Sequence, residues 1–370
     1  MVAKMKMQDI AEKTGYSIST VSRVLSGTSY ASNKARDAII ECARELGLLN
    51  VLGNGHLLLK GILVFAPSRA FTPEGDAFYH EVMQGIAETV KPHNVHLAYC
   101  VLEENHADIQ LFLERVKNKN INAIILIGVD DPTIHQLATT LNMPCVLVNA
   151  QDKRMQLDSV SPDQQAIGYN GVRHLFEEGH RRILTITSMR RETFYQRIAG
   201  TREAYRDYHV DFNADHNLLI TEGLTEKEAE HALASWLKTQ PRSVWPEAIY
   251  CQSGDMIGGV KRVLNHYGLQ IPQDISLMAT NYELPQEANP QKRQTVESSP
   301  QLRVTNITIP CHELGREAVY ILQTRFSRPD APIFNLLLKG KLERHGTVAH
   351  STKNAAYSEL SSAERSVTTL

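Results

Sequence analysis

The chain has 370 residues, of which 42% are hydrophobic and 22% charged, and its formal net charge is −2 at pH 7. This length leaves room for two or three domains with a large core. No apolar run approaches the roughly 20 residues that span a bilayer, and no long apolar core marks a signal peptide, so composition argues against a membrane or secreted protein. Because the charge is nearly balanced, any contact with nucleic acid must be local.

Five cysteines are scattered along the chain without a C-x-x-C pair: Cys42, Cys100, Cys145, Cys251 and Cys311. Several of them lie in apolar runs. We therefore expect buried free thiols in a cytoplasmic protein, where the environment is reducing.

The first predicted elements are two short helices joined by a tight turn, in residues 7–26. Apolar residues recur at i, i+3 and i+4 in both helices. Gly15 can adopt a positive φ in the turn, and Ser17 suits the N-cap of the second helix. That helix turns a small polar face outward, a face that fits a major groove. The outward residues are Ile18, Ser19, Ser22 and Arg23. On geometry alone, the same pattern is equally typical of an ordinary helical domain.

The residues of this segment closely resemble the N-terminal domain of the LacI/GalR (lactose and galactose repressor) family of bacterial transcription regulators. The matching residues are Asp9-Ile10-Ala11, Thr14-Gly15-Tyr16-Ser17 and Thr20-Val21-Ser22-Arg23-Val24-Leu25. The resemblance implies a third helix at about 33–46 and a set of DNA contacts. Ile18 and Ser19 would read base edges, and Arg23 would contact a base or a phosphate. The predicted DNA-binding residues are Ser17, Ile18, Ser19, Thr20, Ser22, Arg23, Tyr30, Ser32, Lys34 and Leu57.

The segment that follows departs from the family's hinge, which usually reads Y-x-P-N-x-x-A-x-x-L. Its tyrosine and proline are missing, Gly53 stands at the alanine position, and Gly55 is close by. Each glycine costs a helix about 1 kcal/mol relative to alanine. Leu57 is the best candidate for the leucine that enters the minor groove. We expect a less helical hinge and a weaker dependence of DNA affinity on intercalation.

From residue 61 onward, short apolar runs alternate with segments of helical periodicity. Predicted strands cover 61–66, 97–101, 123–127 and 145–149, all expected to be buried on both faces, and then 182–187, 218–221, 248–251 and 276–280. Predicted helices cover 78–90, 107–116, 133–141, 164–178, 195–208, 226–237 and 255–267. This alternation indicates an α/β fold with doubly wound parallel sheets. Two such series predict two similar lobes, with ligand bound between them at the carboxyl ends of the strands.

Motifs in this second part resemble the same family. They are Phe78-Tyr79 with Gly85, Gly168 with His174-Leu175 and Gly179-His180-Arg181-Arg182-Ile183, Arg197-Ile198-Ala199-Gly200, and Ile271-Pro272-Gln273-Asp274-Ile275-Ser276-Leu277. The resemblance covers residues 7–346 and implies a core similar to periplasmic sugar-binding proteins. The predicted organisation is a helix-turn-helix domain at 1–47, an atypical hinge at 48–60, a two-lobed ligand-binding and dimerisation core at 61–346, and a disordered tail at 347–370.

The resemblance also implies which residues line the ligand cleft. They combine an aromatic platform with side chains that hydrogen-bond hydroxyls or carbonyls. For Phe78 and Tyr79, packing in the core is an equally good interpretation, and Arg197 has the alternative of a surface arginine at the start of a helix. The predicted ligand-binding residues are Phe78, Tyr79, Asn149, Arg191, Thr193, Arg197, Leu224, Ser253 and Asn281.

Three of these positions depart from the family pattern. Asn281 stands where an aspartate is usual, Ser253-Gly254 replaces a frequent Asn-Asp pair, and an aromatic residue near Leu224 is missing. Anionic acceptors are lost, whereas Arg191 and Arg197 remain, so we expect a more positive cleft. The expected effector is a small polar metabolite related to sugars, and a sugar acid or sugar phosphate in preference to a neutral sugar.

These features predict a sequence-specific DNA-binding repressor that is controlled by this effector. The C-terminal segment lacks a sustained leucine heptad, which favours a homodimer over a tetramer. Two heads of the dimer would read half-sites of double-stranded operator DNA about one helical turn apart. Ligand and DNA affinities would be coupled reciprocally, typically by about 1–3 kcal/mol.

An enzyme on a doubly wound fold is the first alternative, but the motifs that it needs are missing. The chain has no G-x-G-x-x-G after a predicted strand, no phosphate-binding G-x-x-x-x-G-K-[ST] loop and no nucleophile elbow. His80-Glu81 and His312-Glu313 lack the second histidine of a zinc site. We therefore predict no catalytic residues, no metal and no cofactor. The second alternative is a ligand sensor whose head binds a protein partner, and loss of DNA binding in Arg23→Ala would argue against it.

Overall fold

The computed structural model describes residues 2–26, 32–49, 57–72, 77–281 and 303–351. The chain divides into two compact units, of which the first combines Met1–Ser161 with Cys311–Leu337 and the second combines Pro162–Pro310 with Leu338–Leu370. Among the described residues, no helix has both the length and the apolar character required to span a bilayer.

The head of the first unit consists of three helices: α1 (Val2–Thr14), α2 (Ile18–Leu25) and α3 (Asn33–Glu45). Gly15 has a φ of 72°, which confirms the turn expected after α1. The Ser17 side chain accepts a hydrogen bond from the Thr20 N–H, which confirms the predicted N-cap of α2. The third helix lies where the resemblance implied.

The apolar core of the head is shared with other residues of the first unit. Ile10, Val21, Val24 and Ile39 are buried in one cluster that also contains other residues of the first unit. These additional residues are Leu49 and Leu58, with Phe326 packed against the cluster at its edge. The packing therefore continues across residue 47, where we predicted the end of the head. That domain boundary stays a prediction. The hinge residues 50–56 lie outside the described residues.

The rest of the first unit is built on a six-stranded sheet in the order β11-β5-β4-β3-β1-β2. Strands β1 to β5 are parallel to one another. The strands are β1 (Gly61–Ala66), β2 (His96–Val101), β3 (Ala123–Ile127), β4 (Cys145–Val148), β5 (Asp158–Pro162) and β11 (Asn335–Leu338). The helices are α4 (Ala77–Val90), α5 (Ile109–Arg115), α6 (Pro132–Thr140) and α12 (Cys311–Ser327). These elements confirm the first predicted series, with shifts at the ends.

One expectation for this sheet is wrong. We expected strand β2 to be buried on both faces, but it is the edge strand and leaves Tyr99 and Val101 more than 40% exposed. An apolar run alone does not distinguish a central strand from an edge strand whose apolar side chains face outward.

The second unit is built on another six-stranded sheet, in the order β12-β10-β9-β8-β6-β7. The strands are β6 (Ile183–Ser188), β7 (Leu218–Thr221), β8 (Ala248–Cys251), β9 (Ser276–Thr280), β10 (Thr305–Thr308) and β12 (Lys341–Glu343). The helices are α7 (Gln164–Glu177), α8 (Glu192–Asp207), α9 (Ala214–Asn217), α10 (Glu226–Thr239) and α11 (Ile257–His266). All strands are parallel to their neighbours except β12, which is antiparallel to β10. The two predicted series are therefore confirmed.

The start of the predicted disordered tail is ordered, which is a correction. Thr347 is fully buried, and its hydroxyl accepts a hydrogen bond from the Thr305 N–H at 2.8 Å. The N–H of Leu277 donates to the Thr347 carbonyl at 2.8 Å, and the N–H of Ser351 donates to the Glu178 carbonyl at 2.8 Å. The chain is thus held as an extension beside β9 as far as Ser351. Residues 352–370 lie outside the described residues.

All five cysteines are free. Cys42, Cys145, Cys251 and Cys311 are buried, as expected, whereas Cys100 on strand β2 is half-buried. Burial raises the pKa of the Cys145 and Cys251 thiols, because the thiolate would lose its hydration. These two thiols are therefore inert packing groups.

Candidate functional sites

Helix α2 presents the polar face that the sequence predicted. Val21, Val24 and Leu25 are buried, whereas Ile18 is 36% exposed and Arg23 is exposed. Ser17 and Ser19 are exposed as well, and Thr20 and Ser22 are partly exposed. The structure thus brings six of the predicted DNA-binding residues together on one short helix and its cap.

Three hydroxyl groups meet at the start of this helix. The Ser17 hydroxyl lies 2.8 Å from the Ser19 hydroxyl and 2.9 Å from that of Thr20. A hydroxyl can donate or accept, so the cluster can reorganise around a base edge or a phosphate oxygen. One turn later, the Arg23 Nε donates to the Ser19 carbonyl at 3.1 Å, which holds the guanidinium along the outer face of α2.

The remaining predicted DNA-binding residues lie elsewhere. Ser32 caps α3 by accepting a hydrogen bond from the Ala35 N–H at 3.3 Å, and Lys34 is exposed. Leu57 is only 5% exposed, and its N–H donates to His93 Nδ1 at 3.5 Å. In this state Leu57 is therefore packed into the first unit, and a role in the minor groove would require it to leave that site. Tyr30 lies outside the described residues.

The carboxyl ends of β1 and β2 carry a partly buried polar network that the sequence analysis missed. Arg69 forms an ion pair with Glu104 and donates to the Tyr79 hydroxyl at 2.7 Å. The Tyr79 hydroxyl in turn donates to Glu104 at 3.2 Å. Both charged residues follow closely on the ends of their strands, and this position, where ligands bind in such folds, is the signal that could have found them.

The same network decides between the two interpretations of Tyr79. Its side chain is 1% exposed, and the Arg69 guanidinium lies over its ring at 5.0 Å from the centroid. Phe78 is also buried and packs edge-to-face on Tyr79, with the centroids 5.4 Å apart. Both rings therefore pack in the core here, and Arg69 covers the face that Tyr79 would offer to a ligand.

Two further side chains follow strands of the first unit. Asn149, directly after β4, is buried with a φ of 53°. Asp131 follows β3, and its carboxylate accepts hydrogen bonds from the backbone N–H groups of Ala107, Thr133 and Ile134. Burial raises the pKa of Asp131, but these bonds outweigh it and lower the pKa overall. Because its oxygens cap α6, Asp131 is a structural carboxylate.

Arg197 in the second unit is buried rather than on the surface, so its alternative interpretation is wrong. Its Nε donates to Gln164 Oε1 at 2.5 Å, and its Nη1 donates to the Gln252 carbonyl. The guanidinium also lies 5.1 Å from the centre of the Phe194 ring. These contacts fix Arg197 close to the residue that follows strand β8.

Glycines set the position of the helix that carries Arg197. A Cβ on Gly200 in α8 would lie 2.8 Å from the Gln165 carbonyl carbon and 2.9 Å from the Tyr169 nitrogen in α7. A Cβ on Gly168 in α7 would lie 2.7 Å from the Arg197 carbonyl carbon. The backbones of α7 and α8 therefore touch, and only glycine fits at these two positions.

The other predicted ligand-binding residues of the second unit follow its strands. Arg191 and Thr193 are buried near the start of α8, after β6. Ser253 accepts a hydrogen bond from the Asp255 N–H at 3.4 Å, and Asn281, with a φ of 53°, accepts one from the Ile309 N–H at 3.3 Å. Leu224 is half-buried and packs against the apolar core of this unit.

Charges of both signs lie at these strand ends. Arg190, Arg191 and Arg197 follow β6, with Glu192 beside them, and Glu222 and Asp255 follow β7 and β8. The first unit adds Glu104, paired with Arg69. Three arginines and three carboxylates balance in the second unit, as Arg69 and Glu104 do in the first, so the expected excess of positive charge stays a prediction. Within the part of the chain that the structure describes, no group of three or more potential ligands could hold a metal ion.

Two family models match the chain, one over the head and one over most of the rest. Residues 6–49 match the family described as bacterial regulatory proteins, lacI family. Residues 70–324 match the family of periplasmic binding proteins and the sugar binding domain of the LacI family. The second match alone covers more than half of the chain.

Curated relatives cover most of the chain at low identity. The transcriptional repressor CytR of Escherichia coli (strain K12) is 26% identical over 325 residues, which are 85% of this chain and 88% of CytR. The ribose operon repressor of Haemophilus influenzae is 24% identical over 340 residues, covering 90% of this chain and 95% of that repressor.

Solved structures show the same fold. A transcriptional regulator CelR–cellobiose complex superposes with a TM-score of 0.65 at 19% identity, over 92% of this chain and 99% of that one. The Lac repressor dimer bound to operator gives a TM-score of 0.64 at 19% identity, over 92% of this chain and 98% of that one. A LacI family regulator from Enterococcus faecium with bound ribose gives a TM-score of 0.62 at 20% identity, over 79% of this chain and 100% of that one.

Proposed function

Since the chain belongs to the LacI family of bacterial regulatory proteins, we propose that it is a transcriptional repressor whose paired heads read an operator and whose core binds a sugar-related effector. One observation carries the DNA-binding part of this proposal. Helix α2 buries Val21, Val24 and Leu25 and leaves Ile18 and Arg23 outward, beside a cluster of hydroxyl groups. A short helix with this face suits the major groove.

Selection from a random pool of duplexes tests this part directly. The full-length protein should enrich a pseudo-palindromic sequence, with half-sites about one helical turn apart. Its affinity should fall steeply as salt rises, because phosphate contacts release counterions. If no sequence is enriched at low salt, with or without the candidate effectors named below, the DNA-binding proposal fails.

The effector that we propose is a sugar derivative with a negatively charged group, bound at the carboxyl ends of the strands. Arg191 and Arg197 are buried there in the second unit, and a buried arginine pairs well with a carboxylate or a phosphate. Relatives named for ribose and structures with bound ribose or cellobiose support the sugar class.

Calorimetry with matched pairs of ligands tests the charge preference. We expect ribose 5-phosphate and gluconate to bind at least about tenfold more tightly than ribose and glucose, since a charge-assisted hydrogen bond contributes roughly 1.5–3 kcal/mol. Arg191→Gln should remove this difference. Arg190→Gln is the matched control, because Arg190 is the neighbour of Arg191 in sequence but is exposed. Tight binding of a neutral sugar alone would contradict the proposal.

We further propose that the chain forms homodimers through the edges of its two sheets. The edge strand β2 exposes Tyr99 and Val101, and the edge strand β7 exposes Ile220. An exposed edge with large apolar side chains favours pairing with another chain. Each unit thus offers a surface of the same kind to a second copy.

Charges placed on these edges should separate the dimer. We expect Val101→Glu combined with Ile220→Glu to reduce the mass measured by light scattering to that of the 41.5 kDa monomer. Met155→Glu is the control, because Met155 is 79% exposed and lies outside both edge strands. A wild-type protein that is already monomeric at micromolar concentration, or a double variant that stays dimeric, would refute this interface.

We also propose that the protein acts in the cytoplasm and has no catalytic activity. Five free thiols suit a reducing compartment, and the curated relatives named above are repressors. The effector should therefore be recovered unchanged. Proton NMR of each ligand after overnight incubation with the protein checks this, and any product would revive the enzyme alternative.

A further inference from the structure

Helix α3 of the head packs directly on the rest of the first unit. Ile40 and Ala43 of α3 belong to the same apolar cluster as Leu58, and Phe326 in the last turn of α12 packs against that cluster. The Arg44 guanidinium lies over the Phe326 ring, 4.6 Å from its centroid. The head is therefore held by side-chain packing as well as by the covalent chain.

Polar contacts join the same elements. Arg36 of α3 donates from Nη2 to the carbonyl oxygens of Leu58 and Leu59, both at 3.2 Å. The Leu58 N–H donates to Gln323 Oε1 in α12 at 2.7 Å. An ion pair between Asp37 and Lys60 lies beside these bonds. Leu58 is thus bonded to the head on one side and to α12 on the other.

Helix α12 is in turn tightly packed against α4, which carries Phe78 and Tyr79. A Cβ on Gly85 of α4 would lie 2.9 Å from the His312 carbonyl carbon, and a Cβ on Gly315 of α12 would lie 2.8 Å from the Ile86 nitrogen. Backbones this close must move together, because packed interiors do not deform continuously. A shift of α4 would therefore reach α12, and through Leu58 it would reach α3.

The docked head leaves its outward face accessible. Helix α3 faces the first unit, whereas Ile18 and Arg23 of α2 remain exposed in the same structure. Docking therefore does not cover the surface that we assign to DNA. Such a contact can set the orientation of the head. It cannot keep DNA away from α2 by steric hindrance, because α2 stays exposed.

We propose that α3, Leu58 and Gln323 form a docking interface that orients the head on its own core and keeps helix α2 in the position that reads the operator. This inference rests on the proposed function. Docking orients the head without a hinge helix, in which Gly53 and Gly55 would each cost about 1 kcal/mol. The docked head is the form that binds the operator.

Hydrogen exchange of the full-length protein without DNA tests the interface itself. We expect Arg36→Gln and Gln323→Leu, which break it from opposite sides, to speed exchange at least about tenfold in peptides covering 36–49 and 57–60. Strands β1 and β3 should keep their wild-type protection. The control Lys13→Gln removes the same charge as Arg36→Gln from an exposed position on α1 and should leave all peptides unchanged. Unchanged exchange in both interface variants would overturn the proposal.

Operator binding tests whether docking supports DNA binding. With the duplex enriched by the wild-type protein, the Kd should rise about tenfold in Gln323→Leu, which changes no charge and lies outside the head. Added duplex should also slow exchange at 320–327 in the wild-type protein but not in Arg36→Gln. Tighter operator binding in Gln323→Leu would mean that docking opposes DNA binding, which overturns the proposal. Failure of the proposed function is distinct, because the wild-type protein would then enrich no duplex while the exchange results without DNA would stand.

Discussion

Replacing Arg23 with alanine should raise the Kd for the selected operator by about 100-fold. A single arginine that contacts a base or phosphate contributes roughly 1–3 kcal/mol, and a dimer loses this contact in both heads. The Nε of Arg23 also holds the Ser19 carbonyl, so the outer face of α2 loses order as well as charge. Fluorescence anisotropy with labelled duplex, at one fixed salt concentration, measures the change.

Two companion variants separate the roles that Arg23 could have. Arg23→Lys keeps the charge, so it should preserve most of the affinity if the contact is to a phosphate, and lose it together with base preference if the contact is bidentate to a base. Lys13→Ala removes one positive charge from an exposed site on α1 and should change the Kd only about twofold. If Arg23→Ala binds as tightly as Lys13→Ala, α2 is not the helix that reads DNA.

The elements of the head could be predicted from the sequence because local rules determine them. Gly15 supplies the positive φ, Ser17 supplies the cap, and the apolar spacing of Val21, Val24 and Leu25 sets the buried side of α2. None of these features depends on distant parts of the chain. The contact of α3 with Leu58 and Phe326 could not be predicted, since it joins residues that are almost 300 positions apart in sequence.

Two of the four described strands that the sequence analysis missed, β5 and β10, are polar and buried; the other two, β11 and β12, are short strands at the sheet edges. Strand β5 reads DSVSP and strand β10 reads TNIT, and both are almost entirely buried. Hydrogen bonds satisfy their polar side chains: Asp158, for example, accepts from Arg325 Nε and Nη2 at 2.8 Å each. Apolar periodicity cannot signal such strands, because their burial depends on partners from remote segments.

For the candidate effector site, the sequence located residues along the fold more easily than it predicted the contacts of their side chains. Resemblance assigned Arg191, Arg197 and Asn281 to a ligand cleft, and in the structure Arg191 and Asn281 follow strands β6 and β9, whereas Arg197 lies within helix α8. It missed Arg69 and Glu104, whereas the ligand contacts that it assigned to Tyr79 and Leu224 stay predictions, although both side chains pack against neighbours in the structure. A motif gives the position of a residue, whereas the exposure of its side chain depends on neighbours that the motif does not include.

Motif glycines that had no physical explanation at the sequence level have one in the structure. Gly168 and Gly200 allow the backbones of α7 and α8 to touch, and this contact brings Arg197 within 2.5 Å of Gln164 Oε1. A methyl group at either position would have to push the helices apart, because the atoms that it meets are backbone atoms and cannot rotate away. The same pair of glycines therefore supports both the stability of the second unit and the position of Arg197.

Gly200→Ala should consequently destabilise the second unit by about 3 kcal/mol, at the upper end of what overpacking costs. Both tryptophans of the chain, Trp236 and Trp245, lie in this unit, so their fluorescence during urea unfolding reports on it selectively. Gly346→Ala is the matched control in the same unit, since a Cβ there meets nothing within 4 Å, and it should change stability by less than about 0.5 kcal/mol.

The destabilised variant should also lose effector affinity under conditions in which it is still folded. Separation of α7 and α8 would move Arg197 away from Gln164 and from the Gln252 carbonyl, and with it the charge that we assign to effector binding. Operator binding without effector should change much less, because the head belongs to the other unit. If Gly200→Ala unfolds at the same urea concentration as Gly346→Ala, the backbones of α7 and α8 are further apart than described, and the position of Arg197 must be set by other contacts.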